Sequence, residues 1–320
     1  MSRPSPPGEA APVDARTADA SPVDTAPPDG RPTVVRTRRE LREAVARLPR
    51  PIGFVPTMGA LHEGHRALIR RARTENAGVV VSIFVNPRQF ERADDLAAYP
   101  RTEAEDLAVC RAEGVDVVFI PPVEEIYPAG FQTTVRVGAL AEPLEGAARP
   151  GHLEGVTTVV AILFGLVGAE RSYFGEKDAQ QLRVVRRMVA DLAIPTEIVA
   201  CPTVREPDGL ACSSRNVRLS ARGRAAAPLL HRALLAGRAR ILAGERSAEA
   251  VREAIRAVIG TEPAIELDYV SAADEATLDE LETIDRPTLL SLAARIEGVR
   301  LIDNELVVPL RGTAQGEPEG

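Results

Sequence analysis

Cysteine is scarce in this 320-residue chain: Cys110, Cys201 and Cys212 are three, an odd number without CxxC spacing. That excludes a disulfide framework and a zinc signature, and it fits a reducing compartment. No dense Lys/Arg block accompanies the formal charge of −7, so an electrostatic footprint for nucleic acid is missing and a small-molecule partner is expected. The N-terminus lacks the apolar core of a signal peptide. The longest apolar stretch, around 156–169, is too short and too interrupted to span a bilayer. A cytoplasmic protein is therefore expected. Large apolar side chains are almost absent from residues 1–32, which are rich in Pro, Ala, Asp and Ser. Such a segment cannot bury enough surface to offset its ordering entropy, so a disordered tail is expected there.

The length leaves room for one large α/β domain and a smaller one. From Thr33 onward two periodicities alternate. Helical spacing covers 38–48, 62–76, 102–113, 156–167 and 179–190, and short β-type runs cover 52–55, 79–85, 115–120, 172–174 and 196–200. The alternation predicts an α/β fold with a parallel sheet wrapped by helices, with ligands gathering at the carboxyl ends of its strands. After about Cys201 the pattern becomes Ala- and Arg-rich helices over 221–242 and 248–259, then strands near 265–270, 288–294 and 300–309. The expected division is a tail over 1–32, a first domain over 33–203, a smaller α+β domain over 204–312 and a tail over 313–320. No internal repeat is evident.

The densest chemistry follows the strand at 52–55, in PTMGALHEGH over residues 56–65. Leu61, Leu68, Ile69 and Ala72 recur at helical spacing, and Gly59 and Gly64 let backbone approach a ligand closely. Unpaired N–H groups and the positive helix end are expected to face an anion. His62 and His65 are three apart, so on a first helical turn both rings lie on one face and can donate to one oxyanion. The plainer alternative is a pair of surface histidines opening a helix. In FVNPRQF, Asn86, Arg88 and Gln89 follow a buried strand; Asn before Pro favours a turn, and Gln89 suits a turn or a ligand contact equally. In YPRT and the residues after it, Thr102 and Glu105 have the spacing of a capping box, favoured here over metal binding. One carboxylate could still assist a magnesium ion bridging substrate phosphates.

In FGEKDAQQ, Gly175 allows close approach, Lys177 offers a flexible charge for phosphate, and Asp178 can accept from a ribose hydroxyl or cap the helix. Gln181 faces the same end one turn on. Cys212, Ser213, Ser214, Arg215 and Asn216 put two hydroxyls and a guanidinium in succession, a set suited to pyrophosphate.

Together PTMGALHEGH, FVNPRQF, YPRT, RPGHLEGVTTVV, FGEKDAQQL and CSSRN resemble the pantothenate synthetase (pantoate–β-alanine ligase) family, from about Val34 to the LIDN segment at 301–304. The resemblance implies a Rossmann-like nucleotidylyltransferase domain, a C-terminal domain closing over ATP, and a homodimer. It places adenosine and phosphates against Met58, Gly59, His62, Gly64 and His65, with His65 as proton donor. It assigns Gly175, Glu176, Lys177 and Asp178 to ATP, Val204 to adenine, and Cys212, Ser213, Ser214 and Arg215 to the phosphates. Gln89 and Gln181 fall to pantoate and β-alanine. Cys212 stands where the family often has Met, Ile162 where Lys is frequent, and Leu153 where Phe is common, so altered packing or pocket lining is expected.

A carboxylate and an amine do not condense in water unless the carboxyl is first activated. The implied route is adenylation of (R)-pantoate by ATP with Mg²⁺, loss of diphosphate, and displacement of AMP by β-alanine. In this reading His62 and His65 stabilise charge at the α-phosphoryl group. Lys177, Ser213, Ser214 and Arg215 hold the diphosphate, and no direct protein ligand of the metal is identified. The alternative is another HxGH nucleotidylyltransferase acting on a small metabolite.

Overall fold

The computed structural model describes residues 30, 32–90 and 93–310. Apart from Gly30 and Pro32, the tail expected over 1–32 lies outside the described residues, as does the one over 313–320. Six strands form a wholly parallel sheet: β1 (Thr33–Val35), β2 (Ile52–Thr57), β3 (Gly78–Ile83), β4 (Val117–Phe119), β5 (Arg171–Gly175) and β6 (Glu197–Cys201). Their order is β1-β4-β3-β2-β5-β6. The chain winds outward in one direction from β2 and in the other from β5, which makes the β2/β5 boundary the switch point where such sheets bind ligands. The ladder between these two strands covers only Gly53/Arg171 and Phe54/Ser172, at their amino-terminal ends.

Both faces of this sheet are covered, which explains its continuous apolar strands. Phe54 and Val80 pack on one side with the helices Arg38–Val45, His152–Val167 and Ala179–Asp191. Their neighbours Val55, Val79 and Val81 pack on the other with the helix Glu63–Glu75. Of the family departures, Leu153 is buried in the first of these clusters and Ile162 packs against it. The strand β1 was not expected as an element: only three residues long, with Val35 alone buried, it carries too little periodicity to read.

The C-terminal part holds an antiparallel sheet of β7 (Ile265–Asp274), β8 (Thr288–Ile296) and β9 (Val299–Val307), in that order. The helices Leu229–Leu242 and Ala248–Ile259 share a separate apolar core with it. The single helix expected over 221–242 is two, Ala221–Ala226 and Leu229–Leu242. Pro228 caps the second, because its ring nitrogen has no N–H to continue the ladder. Among the described residues no helix is long and apolar enough to cross a membrane.

Candidate active site

The loop after β2 does not present its backbone N–H groups to a ligand as expected. Asp106, buried in the helix Glu103–Ala112, accepts from Ala60 N–H at 3.0 Å and Leu61 N–H at 2.7 Å, while Gly59 N–H donates to Thr57 Oγ1 at 3.1 Å. Gly59 has a φ of +78° and a Cβ there would lie 2.9 Å from both Asp106 Oδ2 and Ile83 Cγ2. Its need for glycine therefore comes from the Asp106 anchor rather than from a ligand, and Gly59 does not line the cleft. The capping box expected at Thr102 and Glu105 is also absent. Thr102 makes no side-chain cap bond; its hydroxyl donates to Asp106 Oδ2 at 3.3 Å, and Glu105 is exposed. The buried carboxylate one residue later takes the hydroxyl that the capping pattern reserves for backbone.

What remains to face an anion is the histidine pair. His62 is the N-cap of the helix Glu63–Glu75 and its Nδ1 accepts from Gly64 N–H at 3.1 Å; His65 Nδ1 accepts from His62 N–H at 3.3 Å. Both Nδ1 atoms are thus acceptors, so the proton of each neutral ring sits on Nε2. The rings lie 4.1 Å apart between centroids and both line a cavity of about 220 Å³ at the strand ends. Burial, reinforced by the charge of Lys177, lowers the His62 pKa to about 4; burial and the neighbouring His62 lower that of His65 to about 3. At neutral pH the cleft wall therefore carries two uncharged N–H donors.

Gln89 is fixed from three sides. Asn86, buried at the start of the turn Pro87–Gln89, donates from Nδ2 to Gln89 Oε1 at 2.9 Å and accepts from Arg88 N–H at 3.2 Å. Asn86 is thus the turn residue the sequence suggests, with an orienting contact added. The Gln89 carbonyl accepts from His152 Nδ1 at 2.9 Å and from Arg149 Nη2 at 3.2 Å. Because a carbonyl can only accept, Nδ1 of His152 carries the proton and its Nε2 accepts from Arg149 Nη1 at 3.0 Å. Burial and the Arg149 charge lower the His152 pKa to about 4. The helix His152–Val167 comes so close that a Cβ on Gly155 would lie 2.2 Å from the Arg88 carbonyl oxygen. With Oε1 engaged, the Gln89 amide N–H₂ is the group left for the cleft, which Gln89 lines together with Gln181. The Gln181 side chain has no hydrogen-bond partner among the described residues.

Across the cleft, Lys177 and Asp178 follow β5, with Nζ 3.6 Å from Asp178 Oδ1. Lys177 is the only lysine in the sequence. Asp178 is the N-cap of the helix Ala179–Asp191 but makes no capping bond. Burial opposes its charge, yet Lys177 and Arg215 together hold the carboxyl below its ordinary value. Glu176, expected at the nucleotide, does not line the cleft; the turn directs its carbonyl to Asn304 Nδ2 at 3.0 Å. Ser213, Ser214 and Arg215 complete the wall. Ser213 Oγ accepts from Arg215 N–H at 3.2 Å, and Ser214 Oγ lies 3.3 Å from the Tyr99 hydroxyl. Cys212 is half-buried beside them with its thiol pKa pushed up by burial.

Met58, His62, Gly64, His65, Gln89, Gly175, Lys177, Asp178, Gln181, Val204, Cys212, Ser213, Ser214 and Arg215 thus meet in one cleft. A larger cavity of about 420 Å³, walled on one side by the C-terminal sheet, shares Arg149, His152, Lys177, Asp178, Gln181, Ser213 and Arg215 with it, so the two are continuous. Sequence reasoning gave no role to Arg149, His152 or Asp106. Composition held one signal: histidine occurs four times, and three of the four stand at this cleft.

The family model described as pantoate-beta-alanine ligase matches residues 33–306. The chain is similar to the pantothenate synthetase of Chloroflexus aggregans, 58% identical over 276 residues that cover 86% of this chain and 99% of that protein. It is 57% identical to that of Roseiflexus sp. (strain RS-1) over 271 residues, covering 85% and 98%. Among solved structures, pantothenate synthetase from Thermus thermophilus matches with a TM-score of 0.83 at 50% identity, covering 87% of this chain and 100% of that one. Pantoate-beta-alanine ligase from Francisella tularensis, complexed with beta-gamma ATP and beta-alanine, matches with a TM-score of 0.71 at 35% identity, covering 86% and 97%. With this coverage and this likeness in sequence and fold, the chain belongs to the pantoate–β-alanine ligase family.

Proposed function

We propose that this chain condenses (R)-pantoate with β-alanine at the expense of ATP, releasing AMP and diphosphate through a pantoyl adenylate. One observation carries the reading: two neutral Nε2–H donors, the sole lysine and the Ser213, Ser214, Arg215 cluster share a cleft with two glutamines. The first set suits phosphate and the second suits a hydroxy acid.

A pantoate carboxylate oxygen attacks the α-phosphorus, and the bond to the bridging oxygen breaks as diphosphate leaves. The amine nitrogen of β-alanine then attacks the acyl carbon, AMP departs with the electron pair of the acyl–oxygen bond, and the new amide loses a proton. The protein supplies position and charge stabilisation. His62 and His65 donate to the α-phosphoryl oxygens. A ring whose pKa lies near 3 serves this task as a neutral hydrogen-bond donor, so the proton-donor role drawn from the family resemblance becomes donation of a hydrogen bond. Lys177, Ser213, Ser214 and Arg215 hold the departing diphosphate. Met58, Gly64, Gly175, Asp178, Val204 and Cys212 line the nucleotide, and Gln89 and Gln181 orient pantoate.

Among the described residues no group of three His, Cys, Asp or Glu side chains could hold a metal ion. That donor set fits magnesium arriving with ATP and bound chiefly by phosphate oxygens and water, with Asp178 the carboxylate at hand. Bound there, the ion would offset triphosphate charge. Residues 204–312 act as the part that closes over ATP, and the protein works as a cytoplasmic homodimer; these readings rest on the family. Light scattering on the purified protein tests the dimer. The reaction is tested by ATP–pyrophosphate exchange: pantoate alone should support exchange, with catalytic AMP release only when β-alanine is added. Exchange that strictly requires β-alanine would refute the two-step route.

A further inference from the structure

We propose that Asp303 and Asn304, neighbours on β9, are positioning residues that assemble the phosphate clamp from its two halves. The inference rests on the reading above, in which Lys177 and the 213–215 loop hold the triphosphate. Consecutive residues of a strand point to opposite sides, so a pair can hold two separate segments at a fixed spacing. Here they do. Asp303 is buried and accepts from Arg205 Nη1 at 2.7 Å and Nη2 at 3.0 Å, a bidentate pair. Arg205 stands at the base of a hairpin: it bridges Ala211 in antiparallel register, and Cys212 N–H donates to Val204 carbonyl at 2.9 Å. The strand of that hairpin leaving Ala211 runs directly into Ser213, Ser214 and Arg215. Asn304 reaches the other half. Its Nδ2 donates to the carbonyls of Glu176 at 3.0 Å and Lys177 at 2.8 Å. One strand of the C-terminal sheet therefore sets the lysine against the serine–arginine loop, although neither Asp303 nor Asn304 is among the phosphate-binding side chains.

Two families of variants test this. Asn304→Ala and Asn304→Asp both remove the donors to the two carbonyls. Arg205→Lys keeps a buried cation while losing the fork, and it avoids the folding risk of an unpaired arginine in Asp303→Asn. The readouts are KM for ATP and for pantoate in ATP–pyrophosphate exchange, with melting temperature as control. Each single variant should raise the ATP KM on the order of tenfold, the loss of one or two hydrogen bonds, while the pantoate KM moves less than about twofold. Arg205→Lys combined with Asn304→Ala should be additive, since they hold different halves; Arg205→Lys with Asp303→Asn should not. A lower melting temperature with an unchanged ATP KM overturns the proposal, as does a pantoate KM that rises in step with that for ATP. Lys177→Ala separates the two levels. If it loses ATP affinity while the Asn304 variants do not, the positioning role alone fails; if it too binds ATP normally, the phosphate site itself is misassigned.

Discussion

An imidazole whose Nδ1 already accepts a backbone N–H can offer a ligand only its Nε2–H, and this fixes what His62 and His65 can do. The side-chain bonds that cap the helix also choose the tautomer presented to the cleft. His65→Ala should lower kcat by on the order of 10²-fold or more, the scale for losing one preorganised oxyanion donor. Normal turnover in a variant folded by circular dichroism would leave His65 a helix-capping residue with no part in the reaction. Gln181 and Lys177 are separable by the same logic. Calorimetry should find that Gln181→Ala weakens pantoate by about 0.5–1.5 kcal/mol with ATP unaffected, whereas Lys177→Ala weakens ATP. ATP binding lost in the glutamine variant, with pantoate intact, would reverse the assignment. These residues were legible because chemically scarce types stand directly after strands. Arg149 and His152 were not, since their meaning is Gln89, roughly sixty residues away in sequence.

Local pattern and tertiary contact disagree at one helix, and the contact wins. The Thr102/Glu105 spacing reads as a cap, but the helix Glu103–Ala112 brings Asp106 beneath the loop after β2, and Thr102 follows the carboxylate. Asp106 is the anchor of a segment in which Gly59 and Ala60 both have positive φ. Asp106→Asn keeps the shape but replaces one acceptor oxygen with a donor facing N–H groups. A stability loss of about 1–3 kcal/mol is expected, the cost of leaving a buried polar group unsatisfied, together with reduced adenylation because His62 follows this loop. A urea midpoint equal to wild type would remove Asp106 from that role. Elsewhere the element boundaries were readable to within a few residues wherever the periodicity ran long. The helix Ala248–Ile259 matches the expected 248–259, while Pro228 splits its predecessor.

Across the whole molecule, three of the four histidines are held uncharged, with pKa values of about 4, 3 and 4 against an ordinary 6.5. The folded state thus binds fewer protons than the unfolded chain below pH 6.5, so this contribution to stability is complete above that value and drains away as pH falls toward 3. Thermal unfolding should reproduce the trend between those limits, and His152→Asn should flatten part of it. Equal slopes for the variant and the parent would show that His152 does not couple folding to protons. Acidification also meets the contact between the helix Glu145–Ala148 and the C-terminal sheet. Glu145 accepts from Arg300 at 2.6 and 2.8 Å and from the Tyr269 hydroxyl at 2.9 Å; burial works against its charge, but Arg300 holds its carboxyl below the ordinary value. The fold class, the two sheets and their order along the chain followed from alternating periodicity. The seam that Glu145 makes with the C-terminal sheet did not, because Glu145 and Arg300 have no local pattern that pairs residues so far apart.

Lys177 gives the surface of this protein an unusual chemical simplicity. Acylating reagents, aldehydes and cyanate act on side-chain amines, and in most proteins they scatter over many lysines. Here every arginine is inert to them at neutral pH and the one lysine side chain lies in the cleft, only partly exposed. Side-chain amine chemistry on this chain is therefore stoichiometric by construction. Any side-chain amine modified is Lys177, and protection of that single nitrogen by added ATP would report binding in this cleft.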